Sequence, residues 1–348
     1  MIIRRLITPA VAFAIALSVG AASSKPKSVI FIIGDGMGSA HFTAARHLRG
    51  NDFQVARMTI SGWVTTHANF VVPDSAAAAS AYATGQKTNH RVISVDPSGR
   101  KLTTALELAE KTGRSTGTVT TADFFDATPA AFAAHSTSRY ESESIARQML
   151  QSGAEIVAGG GAQKFGNKIK VTPEELAREY GFTLVRSGSA LASARGDRVL
   201  VLFKTERNEV DSPEASLPVL ARWAIGRLAS NRKGFFLLLE NEGTDGSSHR
   251  NATDDFIKSL RSLDETVGVA LDYAAKNPDV LVLVTGDHET GGLMIQPERA
   301  GPMELKWGTR GHTGEAIPIF ASGPGSERFT GLLDNTDVGK RLLELLSR

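Results

Sequence analysis

Short apolar runs alternate with segments of helical periodicity along most of the chain. Seven of these runs predict buried strands: Val29–Ile33, Thr116–Thr120, Glu155–Ala158, Val199–Phe203, Phe235–Leu239, Val280–Thr285 and Ile317–Phe320. Several runs are apolar at consecutive rather than alternate positions, which is typical of parallel strands covered by helices on both faces. The pattern therefore predicts the α/β class, as a three-layer α/β/α sandwich around a mostly parallel central sheet.

The clearest predicted helix follows Asn251. Apolar residues recur there at helical spacing as far as Leu271, and Asn277-Pro278 ends the pattern. The stretch from about Arg186 to Asp211 gives no clear prediction. Because no repeat, low-complexity tract or change of composition marks a boundary, we expect a single catalytic domain over residues 23–348.

The N-terminal stretch MIIRRLITPAVAFAIALSVGAASS has the pattern of a secretory signal peptide. Two arginines precede an apolar stretch from Leu6 to Val19, and small residues then allow cleavage after Ala21 or Ala22. A retained membrane anchor is the alternative, but the apolar stretch is short for a membrane span. The sequence thus predicts a signal peptide at residues 1–22, a periplasmic or secreted protein, and no stable membrane association after cleavage.

Charge and cysteine content narrow the classes of partner. The sequence has 39 basic and 37 acidic residues, and removal of the signal peptide with Arg4 and Arg5 leaves equal numbers. This balance gives no indication of a nucleic-acid-binding module. Since the chain contains no cysteine, a metal site has to use histidine, aspartate and glutamate.

The turn after the first predicted strand, IIGDGMGSA, contains an aspartate between two glycines. A dinucleotide-binding turn needs glycines at its first, third and sixth positions; Gly34 and Gly36 fit, but Ser39 occupies the sixth. A carboxylate at the end of a buried strand is costly unless it is paired or bound to a cation. Asp35 is therefore a candidate metal ligand, and a helix N-cap is the alternative role.

Acidic and histidine residues also lie in three later segments. They are Glu240, Asp245 and His249 in ENEGTDGSSH, Asp287 and His288 after VLVLVTG, and His312 in WGTRGHTG. If the first segment is helical, Asp245 and His249 share one face and can hold one ion. Any one of these histidines by itself fits a structural role, but their recurrence at strand ends favours metal binding. Oxygen and imidazole ligands without sulfur suit zinc, magnesium or manganese.

A candidate nucleophile lies in VVPDSAAAASAYATG. Ser75 follows a helix-start signal, and the positive end of a helix dipole favours an alkoxide and a bound anion. The alternative is that Asp74 or Ser75 only caps the helix. The sequence is expected to lack a nucleophile elbow of the Gly-x-Ser-x-Gly type, which argues against an esterase. FFDATPAAFAAHSTSR adds Asp126, Thr128 and Arg139, whose planar guanidinium suits phosphate oxygens.

Together these motifs resemble the alkaline phosphatase family. The matching stretches are IIGDGMG, PDSAAAASAYATGQKT, TADFFDATPAAFAAHSTSR, GFFLLLENEGTDGSSH, LVTGDHETGG and RGHTG. They occur in the family's order between Val29 and Gly314, which is nearly the whole mature chain. The resemblance implies a hydrolase of small-molecule phosphate monoesters that forms a transient phosphoserine, with two zinc ions and one magnesium ion as cofactors.

The resemblance also implies a role for each candidate residue. The implied ligands are Asp245, His249 and His312 for the first zinc; Asp35, Asp287 and His288 with the Ser75 hydroxyl for the second; and Asp35, Thr128 and Glu240 for magnesium. Asp126 would reach magnesium through water and support substrate binding, and Arg139 would hold the substrate phosphate.

Two features depart from the family pattern. Gly246 stands where members commonly have lysine, histidine or tryptophan, so an aid to phosphate binding is missing. Only 23 residues separate His288 from His312, where many members carry a large insertion, and we therefore expect a compact enzyme without a large crown. Members are often homodimers, and the resemblance leaves that state open for this chain.

Two other functions stand as alternatives. A sister enzyme of the same superfamily would act on phosphodiesters or sulfate esters. Ser75-Ala-Ala-Ala-Ala lacks the sulfatase modification motif, and Glu240 and Thr128 argue against a diesterase. A non-catalytic periplasmic protein that binds phosphate or metal would keep the same ligands but would tolerate loss of Ser75.

Overall fold

The computed structural model describes residues 25–204, 215–297 and 303–347, so the predicted signal peptide at residues 1–22 lies outside the described residues. The described strands are β1 Ser28–Gly34, β2 Ile60–Thr65, β3 Ser115–Asp123, β4 Ile156–Gly160, β5 Thr183–Val185, β6 Val199–Leu202, β7 Phe235–Asn241, β8 Val280–Gly286, β9 Glu289–Thr290, β10 Leu293–Pro297, β11 Met303–Trp307, β12 His312–Thr313, β13 Ile317–Ser322 and β14 Gly331–Asp334.

The described α-helices are α1 Ser39–Arg49, α2 Ser75–Thr84, α3 Ala105–Lys111, α4 Ala127–Ala133, α5 Ser142–Gln151, α6 Pro173–Glu179, α7 Leu217–Leu228, α8 Gly243–Arg250, α9 Thr253–Ala274 and α10 Asn335–Leu346. Helix α9 is the one predicted after Asn251, and it ends before Asn277-Pro278 as expected. Within the described ranges, no helix combines the length and the apolar character that crossing a membrane requires.

Ten strands form one sheet in the order β14-β2-β13-β8-β1-β7-β3-β4-β6-β5. Strand β13 runs antiparallel to both of its neighbours, and the other pairs are parallel. All seven predicted strands are present, which confirms the mostly parallel sheet. The sequence pattern did not predict β2, β5 and β14. Two of these are short edge strands, and β2 and β14 are only partly buried, so their apolar signal is weak.

Helices cover both faces of the sheet, which confirms the three-layer sandwich. Successive side chains of β1 point to opposite faces: Val29, Phe31 and Ile33 pack in one core, and Ile30 and Ile32 in the other. Helices α2 to α6 and α10 contribute buried residues to the first core, and α1, α7 and α9 contribute to the second. A strand buried on both sides needs apolar residues at every position, which explains the continuous apolar run.

Candidate metal centre and active site

Four adjacent strands in the middle of the sheet bring the candidate ligands together. Their order is β8-β1-β7-β3, and because they are parallel their carboxyl ends meet at one edge. Asp287 directly follows β8, and Asp35 directly follows β1. Glu240 lies near the end of β7, opposite Ile33 of β1. Residues more than 200 positions apart along the chain therefore share one site.

The glycine-rich turn after β1 holds Asp35 at this edge. Helix α1 is capped by Gly38, so the alternative role of Asp35 as an N-cap does not apply. Gly36 adopts φ 72°, and a Cβ at this position would lie 2.9 Å from the Cα of Asp245. Glycine is thus required both by the backbone conformation and by the close approach of helix α8.

Ser75 and His288 meet two buried carboxylates. The Ser75 Oγ lies 3.3 Å from His288 Nε2. The same nitrogen lies 3.2 Å from Asp287 Oδ2 and 3.5 Å from Asp35 Oδ1. These two carboxylate oxygens are buried, and neither accepts a hydrogen bond from the described part of the chain. Oxygens of this kind, converging with an imidazole nitrogen and a hydroxyl, are suited to a divalent cation.

A second cluster forms around Asp245. Because Asp245 and His249 lie four residues apart in helix α8, they share one face, and His249 Nε2 is 3.2 Å from Asp245 Oδ2. His312 Nε2 lies 3.1 Å from His249 Nε2 and 3.6 Å from Asp245 Oδ1. The Nδ1 atoms of His249 and His312 hydrogen-bond the carbonyls of Arg310 and Pro73, which places a proton on each Nδ1. When the two imidazoles are neutral, their Nε2 lone pairs can bind a metal ion; without one, the hydrogen bond to Asp245 raises the pKa of His249 to about 9.

The two clusters share Asp245. Ligand atoms of Asp245, His249 and His312 lie within 4.8 Å of one another, and so do those of Asp35, Asp245 and His288. The second set differs from the one that the resemblance implies, because Asp245 replaces Asp287, although Asp287 Oδ2 also contacts His288. The geometry thus supports two neighbouring cation positions with Asp245 between them.

A third group of oxygen atoms lies beside the first two. The buried carboxylate of Glu240 accepts a hydrogen bond from the Thr120 hydroxyl. The Thr128 hydroxyl, in the first turn of α4, is buried and has no hydrogen-bond partner among the described residues. Carboxylate and hydroxyl oxygens without nitrogen suit a hard cation such as magnesium.

The electrostatics of the site also favour bound cations. Burial, followed by the charges of Asp287 and Asp245, raises the pKa of Asp35 well above its ordinary value. Burial likewise raises the pKa of Asp287 to about 6 and that of Glu240 to about 8. Burial lowers the pKa of His288 to about 4, so this imidazole is neutral and can act as a ligand. Several ionised carboxylates share this volume only if positive charge accompanies them.

Arg139 is fixed beside Ser75 by two acidic residues. Its guanidinium donates to Asp126 at 3.0 Å and to Asp74 at 3.3 Å. Asp74 also caps helix α2 by accepting a hydrogen bond from the backbone of Ala77. Of the two candidates for the N-cap, the structure therefore has Asp74, and Ser75 is the first residue of the helix. Burial opposes the charge of Arg139, but Asp126 and Asp74 outweigh it and raise its pKa. Arg139 therefore stays charged and oriented.

Thr290 belongs to the site although the sequence analysis did not identify it. Its hydroxyl donates to Asp245 Oδ1 and lies 3.2 Å from His288 Nδ1, so it bridges the two clusters. The side chain is fully buried. The only signal in the sequence is its position two residues after His288, which places it on the same face of an extended segment.

One Gly-x-Ser-x-Gly motif is present, contrary to the expectation from the sequence, but it lies away from the candidate ligands. Gly113 to Gly117 read GRSTG, and the central Ser115 begins β3 at the amino end of the strand. Its hydroxyl donates to Glu155 at 2.5 Å. Because the candidate ligands lie at the carboxyl ends of the strands, Ser115 has no part in the site.

Comparisons with known proteins show the family and the fold. The family model described as alkaline phosphatase matches residues 26–306. The chain is 32% identical to the alkaline phosphatase of Escherichia coli K12, over 91% of this chain and 85% of that protein. It is 33% identical to streptomycin-6-phosphate phosphatase of Streptomyces griseus, over 90% and 88%. A structure of a TAB5 alkaline phosphatase mutant with magnesium in its M3 site superposes with a TM-score of 0.83 at 28% identity, covering 92% of this chain and 98% of that one.

Proposed function

The chain belongs to the alkaline phosphatase family and is a phosphoric monoester hydrolase, and we propose that it acts through a phosphoserine on Ser75 with two zinc ions and one magnesium ion. One observation carries this proposal. The Ser75 Oγ lies 3.3 Å from His288 Nε2, next to buried carboxylate oxygens that accept no hydrogen bond from the described residues. A hydroxyl in that position is suited to attack phosphorus when a metal ion lowers its pKa.

We assign the ions to the three groups of side chains described above. The assignment is Asp245, His249 and His312 to the first zinc; Asp35, Asp287 and His288 with Ser75 to the second; and Asp35, Thr128 and Glu240 to magnesium, which Asp126 reaches through water. When bound, the zinc ions lower the pKa of hydroxyl groups and water and offset the negative charge of the reacting oxygens. The raised pKa values of Asp35, Asp287 and Glu240 support the assignment, because bound cations allow these acids to ionise.

Ser75 is the nucleophile in this mechanism. Its Oγ forms a bond to phosphorus while the bond between phosphorus and the alcohol oxygen breaks. The proton that Ser75 releases is matched by the proton that the leaving alkoxide takes up, so the product leaves as the alcohol. The N-terminus of helix α2 favours the negative charge at this position. Water then attacks phosphorus and the bond to Oγ breaks. A proton from the water returns to Oγ, and inorganic phosphate is released.

Arg139 binds the non-bridging oxygens of the phosphate group. Its planar guanidinium offers several N–H donors, and the hydrogen bonds to Asp74 and Asp126 hold it in one orientation. Orienting the donor before the substrate arrives reduces the entropy that binding costs and stabilises the charge that develops on these oxygens. Asp126 thus supports substrate binding through Arg139.

The remaining proposals concern the setting of the enzyme. We propose that residues 1–22 direct export, so that one catalytic domain, residues 23–348, acts in the periplasm or outside the cell. The substrates are small-molecule phosphate monoesters. Gly246 has no side chain to make the additional phosphate contact that family members commonly make from this position. A homodimer is the expected assembly if the protein follows other family members, and sedimentation of the purified protein tests it.

The nucleophile is tested by Ser75→Ala. We expect turnover of a chromogenic phosphate monoester to fall by at least about a thousandfold, because the remaining groups bind phosphate but lack the attacking oxygen. The control is Ser230→Ala, an exposed serine after helix α7. Circular dichroism checks that both variants fold. Full activity in Ser75→Ala excludes the serine mechanism.

The metal requirement is tested by chelation and elemental analysis of the same preparation. We expect the rate to be lost on chelation and restored by zinc with magnesium. A rate that chelation leaves unchanged excludes the metal assignment. Faster cleavage of phosphodiesters than of monoesters indicates the sister activity, and phosphate binding without turnover indicates a non-catalytic protein.

A further inference from the structure

Several large apolar side chains are exposed beside the candidate active site. We call them the apolar rim: Phe70, Val71, Val72 and Tyr140, which are 60%, 78%, 36% and 64% exposed. The first three directly precede the segment that carries Ser75, and Tyr140 directly follows Arg139. Other exposed large apolar residues in the described ranges, such as Val219, belong to other segments. A cluster of exposed apolar groups next to a polar site is typical of ligand binding.

The apolar rim is held in place by its neighbours. The ring of His90 hydrogen-bonds the carbonyl of Val72 at 2.7 Å, and its centroid lies 4.7 Å from that of Phe70. The guanidinium carbon of Arg91 lies 5.7 Å from the centroid of the Tyr140 ring. These contacts fix apolar groups at the surface before any substrate binds, which lowers the entropic cost of binding.

The apolar rim lies on the same side of the site as His312. His312 Nδ1 hydrogen-bonds the carbonyl of Pro73 at 2.9 Å. A Cβ at Gly314 would lie 3.3 Å from Val71 Cγ1, so the loop after His312 runs against the rim. In phosphoryl transfer the leaving oxygen lies roughly in line with the attacking oxygen and opposite to it. An alcohol that leaves towards His312 therefore passes along Val71.

We propose that the apolar rim binds the alcohol part of the substrate, and that the preferred substrates are phosphate monoesters of aromatic or bulky apolar alcohols. This inference rests on the proposed function, because Ser75 and Arg139 set the position of the phosphate. When an aromatic ring of the substrate contacts the rim, one face of the ring is removed from water. The guanidinium of Arg91, beside Tyr140, places a cation near that ring. The expected preference over a small alcohol is about tenfold, which corresponds to about 1.4 kcal/mol.

The test compares ethyl phosphate with 2-phenylethyl phosphate, because both release a primary alkoxide and differ only in the phenyl ring. The protein loaded with zinc and magnesium is assayed for kcat/KM on both esters. We expect a ratio of about ten in favour of the phenyl ester, falling towards one in Val71→Ser and in Tyr140→Ser. The matched control is Val219→Ser, an exposed valine on helix α7, which packs on the opposite face of the sheet from Ser75, and it keeps the original ratio.

A binding measurement provides a readout that does not depend on turnover. Calorimetric titration of the Ser75→Ala protein with ethylphosphonate and 2-phenylethylphosphonate is expected to show the same preference, which Val71→Ser removes. An equal affinity for both phosphonates, or a preference that both rim variants keep, overturns the inference. A rim variant that cleaves neither ester and also sediments differently from the natural protein overturns the inference as well. That result would show instead that the rim is an interface between copies of the chain. If neither ester is cleaved, the proposed function fails, and phosphonate binding still decides whether the rim recognises the ring.

Discussion

Replacing Glu240 with glutamine tests whether cations hold the buried carboxylates together. Glu240 is 1% exposed and accepts a hydrogen bond from the Thr120 hydroxyl. Glutamine has nearly the same shape, and its amide oxygen accepts the same hydrogen bond without carrying charge. In the metal-free protein, Glu240→Gln therefore removes one of several like charges without creating a cavity. It removes an anionic ligand when metal is present.

The size of the effect follows from the pKa of Glu240. Burial raises this pKa from 4.5 to about 8, although the hydrogen bond from the Thr120 hydroxyl favours the charged form. The folded metal-free protein thus holds the proton more tightly than the unfolded chain, so stability is lost as pH rises from about 4.5 to about 8. At about 1.36 kcal/mol per unit of pKa, the loss from this group approaches about 5 kcal/mol.

The assay is urea unfolding of chelator-treated protein at about pH 5 and about pH 8. We expect Glu240→Gln to match the natural protein within about 1 kcal/mol at the lower pH and to exceed its free energy of unfolding by about 3–5 kcal/mol at the higher pH. Restoring zinc and magnesium is expected to reverse the order, because the amide is the weaker ligand. The control is Glu327→Gln at an exposed position, which is expected to change neither value.

A metal-free Glu240→Gln protein that is no more stable than the natural one at about pH 8 would contradict this reasoning. It would mean that the ionised carboxylate is accommodated without a cation, by solvent or by local rearrangement. The link between the buried acids and bound metal would then be lost, even if the enzyme were active.

Three other predictions concern neighbouring positions. Arg139→Ala is expected to lower kcat/KM by about 10²–10³-fold and to weaken inhibition by inorganic phosphate, and unchanged inhibition in steady-state assays would contradict its role. Thr290→Val removes the hydroxyl that donates to Asp245. We expect zinc affinity, measured in competition with a chromogenic chelator, to fall by about 10–100-fold, and an unchanged affinity would mean that this hydrogen bond is dispensable. Gly286→Ala places a Cβ 2.4 Å from a main-chain oxygen of the turn after β1, so we expect thermal unfolding to show a loss of about 1–3 kcal/mol in the free energy of unfolding. The control is Gly226→Ala in helix α7, where a Cβ meets nothing within 4 Å, and it should be neutral or stabilising.

Local patterns in the sequence predicted seven of the ten strands of the central sheet and the candidate residues that follow several of them. Strands buried on both faces must be apolar at every position, so runs such as Val29–Ile33 are evident without a structure. Parallel strands end at one edge, so the positions of Asp35 and Asp287 after predicted strands placed both at that edge, while the pairing of β1 with β8 brought them next to each other. The pairing of Asp245 with His249 needed only the spacing of one helical turn.

The resemblance supplied what these local patterns did not. Spacing alone left zinc, magnesium and manganese open and gave Ser75 the choice between a nucleophile and a helix cap. The order of the six motifs along the chain pointed to one family, and the family model confirms that membership. The signal peptide stays a prediction, since it precedes the described residues.

Other features depend on contacts between distant segments, and only the tertiary structure decided them. Thr290 bridges the two clusters because β9 brings it next to Asp245 of helix α8. Ser115 lies in a Gly-x-Ser-x-Gly motif, which Ser75 lacks, but it stands at the amino end of its strand, away from the candidate ligands. The apolar rim lies next to the site because the segment before Ser75 runs against the loop after His312. Periodicity reports which face of a segment is buried, whereas the order of strands in the sheet determines which side chains share a site.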